Sequence, residues 1–293
     1  MFFSCSLRYV FRYAAQKSHP GYAAAVLANS NLVVDGTWDD HDFGMDNADG
    51  FTFDATTKDA HKAEILDFLD AASNDERRLL GRGLFTSRVV GPRGEVDVVL
   101  LDTRYNRNEH ELLGKAQWAW LNDHFAQSTA EVTVVVSSVQ VLAEGRTSLH
   151  EGWWAYPQER QRLVETMVSH GIKAPLLVSG DVHFAELSAH TCSSSSSSAT
   201  LAEMTSSGMT HAWAHGADGA RHHWWPVHYT KHWLMLVSQH VLGATAWTYQ
   251  YPGAFYLDLN LGEVSKHSKR NNDNNDNNST TPKLSFGNEL WFS

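Results

Sequence analysis

The sequence predicts a mixed α/β fold, and three observations carry that reading. Short β-branched or leucine-rich runs at residues 32–34, 96–101, 132–136, 176–179 and 255–261 are bounded by turn residues. Stretches of helical period lie between them, at 58–72, 114–125 and 158–169. The chemically versatile polar residues gather just behind the strand-like runs instead of spreading along the chain. Alternation of this kind suits helices layered on sheet better than a sandwich or a bundle.

At the start of the chain, Phe2, Phe3, Leu7, Val10, Phe11 and Ala14 recur at helical spacing and predict a surface helix. Arg8, Arg12 and Lys17 interrupt that segment, so it does not read as a secretory signal, although an Arg-bearing, acid-free stretch also suits a transit peptide. The run at 32–34 predicts a strand leading to Asp35. The next run leads to Asp102 and Arg104, the third to Ser137, Ser138 and Gln140, and the fourth to Gly180, Asp181 and His183. Ligands of open α/β sheets sit outside the carboxyl ends of strands, so these four ends predict one crevice. The serine run at 193–198 reads as a loop tip between two strands. Residues 266–283, built around an Asn-rich tract at 271–278, lack apolar side chains and predict disorder.

Composition narrows the function. Hydrophobic residues make up 42% of the 293, enough for a sizeable core. Lys and Arg number 23 against 33 Asp and Glu, a net charge of −10, which argues against a nucleic-acid clamp. Two cysteines, Cys5 and Cys192, make neither a disulfide framework nor a four-cysteine zinc site. No apolar run approaches the length of a membrane span, and a soluble protein is expected. The 17 histidines and 11 tryptophans stand out. Seven of those histidines fall between 211 and 240 without an H-E-x-x-H pattern, and packing or surface roles suit them, His211 excepted.

The densest chemical signal is acidic. Asp35, Asp39, Asp40, Asp42, Asp46, Asp49 and Asp54 fall within twenty residues, and no Lys or Arg occurs between Lys17 and Lys58. Three fates are open to such a cluster: a solvated loop, pairing with distant arginines such as Arg104 and Arg107, or coordination of hard cations. No register fits an EF-hand. Trp38, directly ahead of Asp39 and Asp40, points to a packed environment. His41 among carboxylates is either a general acid or a histidine hydrogen-bonded to its neighbours. Asp181 and His183, two apart behind a glycine at a strand end, have the spacing to reach one metal from a loop. Arg104 and Arg107 either hold a phosphoryl group in a guanidinium fork or form salt bridges with the aspartates.

Taken together, ordered motifs resemble the PhoD-like alkaline phosphatases, a branch of the metallophosphoesterases. They are Thr37-Trp-Asp-Asp-His-Asp-Phe-Gly44, Leu100-Leu-Asp-Thr-Arg-Tyr-Asn-Arg107, Leu113-Gly-Lys-Ala-Gln-Trp-Ala-Trp-Leu121, Ser137-Ser-Val-Gln-Val141, residues 153–163 with Pro157, Glu159 and Arg160, Ser179-Gly-Asp-Val-His183, and Glu203-Met-Thr-Ser-Ser-Gly-Met-Thr-His211. The resemblance implies a metallophosphoesterase-like layered sandwich of mixed sheets flanked by helices. It also implies metal-dependent hydrolysis of phosphate mono- or diesters, with calcium and iron as cofactors. Carried over by position, Asp39, Asp40, Asp46, Asp181 and His183 become metal-site residues, His41 and Arg104 catalytic residues, and Arg107 and His211 substrate contacts. The implied partner is a small-molecule phosphate ester.

Two departures from the family pattern matter. After the glycine the family usually has x-Asn-Asp, whereas this chain has Met45-Asp46-Asn47. The family's early Gly-Asp-x-x-Tyr motif is also missing ahead of Trp38, since Gly-Asp occurs only at Gly180-Asp181. The expectation is therefore a phosphatase domain over 1–265 that lacks its N-terminal part, followed by a low-complexity tail over 266–293. A catalytically impaired remnant that binds metal or a phosphorylated ligand is the alternative. The family is often exported, but the sequence carries no export signal from which to assign a compartment.

Overall fold

The computed structural model describes residues 5–143, 151–193, 198–209, 212, 255–256, 260–265, 283–286 and 290–291. It divides into two units, Met1–Val141 with Glu151–Leu177, and Leu142–His150 with Val178–Ser293. The mixed α/β class expected from the sequence holds in both the strands and the helices.

In the first unit, α1 (Cys5–Ser18) and the short α2 (Pro20–Tyr22) run into a π-helical turn at Ala23–Leu27. The four-residue α3 (Asp40–Phe43) and α4 (Ala55–Phe68) follow. Next come β1 (Thr86–Val90), β2 (Val96–Leu100), α5 (Gly114–Gln127), β3 (Val132–Val136) and α6 (Pro157–Ser169). β1 pairs antiparallel with β2, setting Thr86 opposite Leu100. β2 and β3 are parallel, with Val96 beside Val132 and Leu100 beside Val136. A parallel pair needs a long crossover, and α5 supplies it.

An aromatic cluster forms one core of this unit: Trp38, Phe43, Ile65, Leu66, Leu84 and Tyr105, with Tyr13 and Phe53 packed against it. Trp38 has no exposed surface; it meets Phe43 edge-on at 4.9 Å and stacks on Tyr105 at 6.3 Å. Each such side chain removed from water contributes about 2–3 kcal/mol before entropy is counted. This packing fixes the chain on both sides of α3.

Asp102, just past β2, is buried and accepts four N–H bonds. They come from the Trp38 indole (2.8 Å), Leu84 (2.6 Å), Arg104 (2.9 Å) and Tyr105 (2.9 Å). Gln117 of α5 reads the same residue's backbone, accepting from Asp102 N–H at 2.8 Å and donating to its carbonyl at 2.7 Å. Gly83 (φ +71°) lies so close that an added Cβ would sit 2.8 Å from the Asp102 carboxylate. A second acceptor works at the start of α5, whose N-cap Leu113 offers no side-chain cap. Glu159, from the first turn of α6, takes the N–H groups of Leu112 (2.7 Å) and Leu113 (3.0 Å) and the Trp118 indole (2.6 Å). A carboxylate at the positive end of a helix is favourable as well as satisfied.

β4 (Pro175–Ser179) spans the point where the chain passes into the second unit. There β5 (Ala185–Ser193) and β6 (Ser198–Ser206) pair antiparallel in a register from Ala185–Ser206 to Ser193–Ser198, so two strands do flank the serine run. β7 (Phe255–Tyr256) pairs with β5. β8 (Gly262–Ser265), β9 (Lys283–Phe286) and β10 (Leu290–Trp291) make a small antiparallel sheet.

The expected strand at 32–34 is absent: that segment has no regular structure, Val33 is 79% exposed, and Asp35 is drawn into an ion network. Of the run at 255–261, Phe255–Tyr256 is strand, and 257–259 lie outside the described residues. The tract at 266–282 lies outside them too. Among the described residues, no helix is long and apolar enough to cross a membrane.

Replacing Asp102 by Ala leaves two buried donors, the Trp38 indole and Leu84 N–H, without their acceptor. A loss of about 3 kcal/mol or more is expected in chemical denaturation. A change below ~1 kcal/mol would contradict the role given to this carboxylate.

Candidate functional site

The aspartates at 35–54 do not share one job. Asp54 caps α4 by accepting the Thr57 N–H at 2.7 Å. Asp49 closes its own turn, taking N–H bonds from Phe51 and Thr52 at 3.0 Å. Asp35 bonds to buried Arg77 at 2.7 Å and to Arg88 at 2.6 Å, while Arg77 also grips Asp75 at 2.8 Å. Burial works against the Asp35 charge, but the two arginines more than offset it and lower its pKa. Asp42 receives the Asp39 N–H at 3.2 Å and the Tyr13 hydroxyl at 3.0 Å. Burial raises its pKa despite those bonds, and the neighbouring Asp39 and Asp40 push the same way.

Asp40 is different. It is 6% exposed, and its two carboxylate oxygens are aimed by separate backbone donors, His41 N–H and Asn47 N–H, each at 2.7 Å. Asn47 adopts φ +54° to deliver its donor and sends its side-chain amide to Asp46 at 2.9 Å. His41 Nε2 lies 3.7 Å from Asp46, both side chains exposed. Ligand atoms of Asp40, His41 and Asp46 fall within 4.8 Å of one another. Each Asp40 oxygen keeps a second lone pair, so carboxylate oxygens and an imidazole form a donor set that fits a hard or borderline cation.

Arg104 has no exposed surface. Its Nε and Nη2 reach one oxygen of Asp39 at 3.0 and 2.5 Å, and its Nη1 donates to Ala48 O at 3.2 Å and lies 2.6 Å from Glu151. Burial alone would lower its pKa, but Asp39 and Glu151 outweigh burial and raise it. Arg107 pairs with the other oxygen of Glu151 at 2.6 Å and donates to the Tyr156 hydroxyl at 3.1 Å. Both arginines therefore engage acids, and Glu151 bridges them.

Sequence reasoning missed Glu151 in this role, and Lys58 as well. Lys58 Nζ donates to Gly50 O at 3.0 Å and Tyr105 O at 3.2 Å, and sits 4.4 Å over the Tyr105 ring. Burial lowers its pKa. Tyr105 is pushed up to about 12 by burial and by Asp59, which accepts its hydroxyl at 3.2 Å. The two loops approach so closely that Gly50 donates to Arg107 O at 2.9 Å, and a Cβ at 50 would lie 2.7 Å from Tyr105 O.

In the second unit, Asp181 and His183 occupy the turn after β4, at φ +75° and +58°. Non-glycine residues seldom adopt this left-handed region, and such outliers cluster at functional sites. His211 lies outside the described residues.

A family model for PhoD-like phosphatases matches residues 87–265, more than half of the chain. The chain belongs to that family. The matched span contains Arg104, Arg107, Asp181, His183 and His211; the aspartates at 35–54 precede it. A solved structure of PhoD is 20% identical, with 60% of this chain and 41% of that one covered at a TM-score of 0.45. The chain thus spans less than half the length of that structure. Among curated proteins, none matches.

The Asp35–Arg77–Asp75 network makes a pH prediction. Hydrogen bonds from Arg77 hold Asp75 down to about 2, from an ordinary 3.8. Its stabilisation is present above the ordinary value and is lost as pH falls toward 2, amounting to ~2 kcal/mol. Urea unfolding at pH 5 and pH 2 should show Asp75→Asn losing about that much less than the parent on acidification. Equal losses would refute it.

Proposed function

We propose that this chain hydrolyses phosphate esters with metal assistance, as a phosphomonoesterase or phosphodiesterase of the alkaline-phosphatase type. The observation that carries the reading is Asp40: a nearly buried carboxylate, pre-aimed by two N–H groups, with a carboxylate oxygen of Asp46 alongside and the exposed His41 imidazole next to both. Membership of a phosphatase family supports it from the sequence side. In this reading Asp39, Asp40, Asp46, Asp181 and His183 hold the metal, with calcium and iron the ions the family resemblance suggests. The domain over 1–265 carries the activity.

A bound cation of this kind supplies neutralisation of the phosphoryl oxygens and acidification of a water. The protein's own groups do the rest. The Asn47 and His41 N–H groups orient the Asp40 carboxylate. His41, whose imidazole is exposed, delivers a proton to the departing alkoxide oxygen. Arg104 holds Asp39 in place and, through Glu151, fixes Arg107, the arginine with some exposed surface, to steady the substrate phosphate.

One observation favours the second reading, a remnant that binds without turnover. Asp39 is neutralised by a guanidinium with no access to solvent, which lowers the negative charge available to a cation.

Hydrolysis of p-nitrophenyl phosphate and its bis-ester, by purified protein with added iron and calcium, separates the two. Turnover is expected, with chelation abolishing it and Asp181→Asn or His183→Ala reducing it at least the ~10–100-fold seen for groups that merely support a metal. Metal uptake by mass spectrometry without turnover would select the remnant. Neither uptake nor turnover would defeat both readings.

A further inference from the structure

The turn that carries Asp181 and His183 is held from one side by one strand. Glu203, Thr205 and Ser207 stand at alternate positions on and just past β6, and residues two apart on a strand share a face. Glu203 has no exposed surface. Its Oε1 accepts the Ser179 hydroxyl at 2.6 Å and its Oε2 accepts the Leu142 N–H at 2.6 Å. Thr205 Oγ1 lies 2.9 Å from the same Ser179 hydroxyl. At the far end of the turn, Ser207 Oγ accepts the His183 N–H at 3.1 Å.

Between these anchors the backbone is unusual. Val182 N–H donates to Gly180 O at 3.0 Å, an i to i+2 bond, around Asp181 at φ +75°. That is a γ-turn with a positive central φ, a rare and strained conformation. With His183 also left-handed, about 1–2 kcal/mol per residue opposes the turn, and it persists only where its surroundings over-determine it. The bonds from β6 are such surroundings, and they bracket the strained residues.

We propose that Glu203 is a positioning residue: through Ser179 it holds the Gly180–His183 turn in its left-handed form, and so sets how well Asp181 and His183 bind a cation. The cation half of this statement rests on the function proposed above; the conformational half does not. The chemistry also explains why an acid stands here. Two donors converge on it, and a carboxylate accepts with both oxygens. Glutamine keeps one acceptor and presents its amide to Ser179, whose hydroxyl turns to Thr205 instead. Alanine keeps neither bond.

The test uses the full chain, with two readouts on Glu203→Ala, Glu203→Gln and Ser179→Ala. Ser179→Ala leaves the Leu142 bond intact and guards against a Glu203→Ala protein that does not fold. The first readout is amide hydrogen exchange without added metal. Exchange across 180–183 should quicken about tenfold or more in Ser179→Ala and Glu203→Ala, remain near the parent in Glu203→Gln, and stay unchanged in β2 and β3. The second is calorimetric titration with calcium, where the two alanine variants should bind ~10–100-fold more weakly and the glutamine variant within a few-fold of the parent. Unchanged exchange at 180–183 in the folded alanine variants overturns the proposal. So does faster exchange with calcium affinity untouched, which would make Glu203 merely structural. If the parent binds no cation, the proposed function fails and exchange alone decides the conformational claim.

Discussion

Everything around the acidic loop depends on one buried carboxylate collecting N–H groups from four places. Asp102 ties the Trp38 indole, the backbone ahead of β1 and the Arg104 and Tyr105 amides of its own following turn to the end of β2. A buried charge is tolerable only when hydrogen bonds replace its lost hydration, and four donors do that here. The result is mechanical. Trp38 is held by its ring nitrogen as well as by its faces, so the residues after it, Asp39 to Asp42, start from a fixed point. The Arg104 side chain starts from the same point on the other side and reaches Asp39.

The same logic, an acid satisfied by donors instead of by a base, recurs through the molecule. Glu159 gathers two amides and an indole; Glu203 gathers an amide and a hydroxyl. Asp40 belongs to this group by its bonds, and it lies beside an exposed imidazole and a second carboxylate. Acids engaged by arginines make up the other class; among the described residues they are Asp35, Asp39, Asp67, Asp75, Glu76, Glu95 and Glu151.

Much of this was legible in the sequence, and the reasons are physical. The parallel strands β2 and β3 are Val-rich because none of their residues is exposed, and such runs announce themselves. Helices α4, α5 and α6 were expected within a few residues of where they lie. The strand expected at 32–34 failed because three apolar residues without a partner ladder have nothing to pair with. β1 was invisible for the opposite reason: its outer residues, Val89 and Val90, are exposed, and no alternation marks it. Within the site, Trp38 as a packed residue and the drawing of Arg104 to an aspartate were both readable from charge and aromatic content. Glu151 and Lys58 were not, since their partners lie some 47 residues away, and nothing local distinguishes them from a solvated acid and a solvated amine. The seven aspartates looked alike as letters. Only the backbone around each one tells a helix cap from a turn or an ion-pair partner.

The close approaches at Gly50 and Gly83 have a bearing on how this loop arrangement is recognised elsewhere. At one, backbone oxygens leave no volume for a methyl group; at the other, a left-handed φ and a carboxylate oxygen exclude it together. Any protein that builds its acidic loop against the β2 end in this manner is obliged to place the smallest residue at both points. In this chain those two glycines stand thirty-three positions apart, with Asp102 nineteen beyond the second, so steric need rather than chemistry fixes both of them.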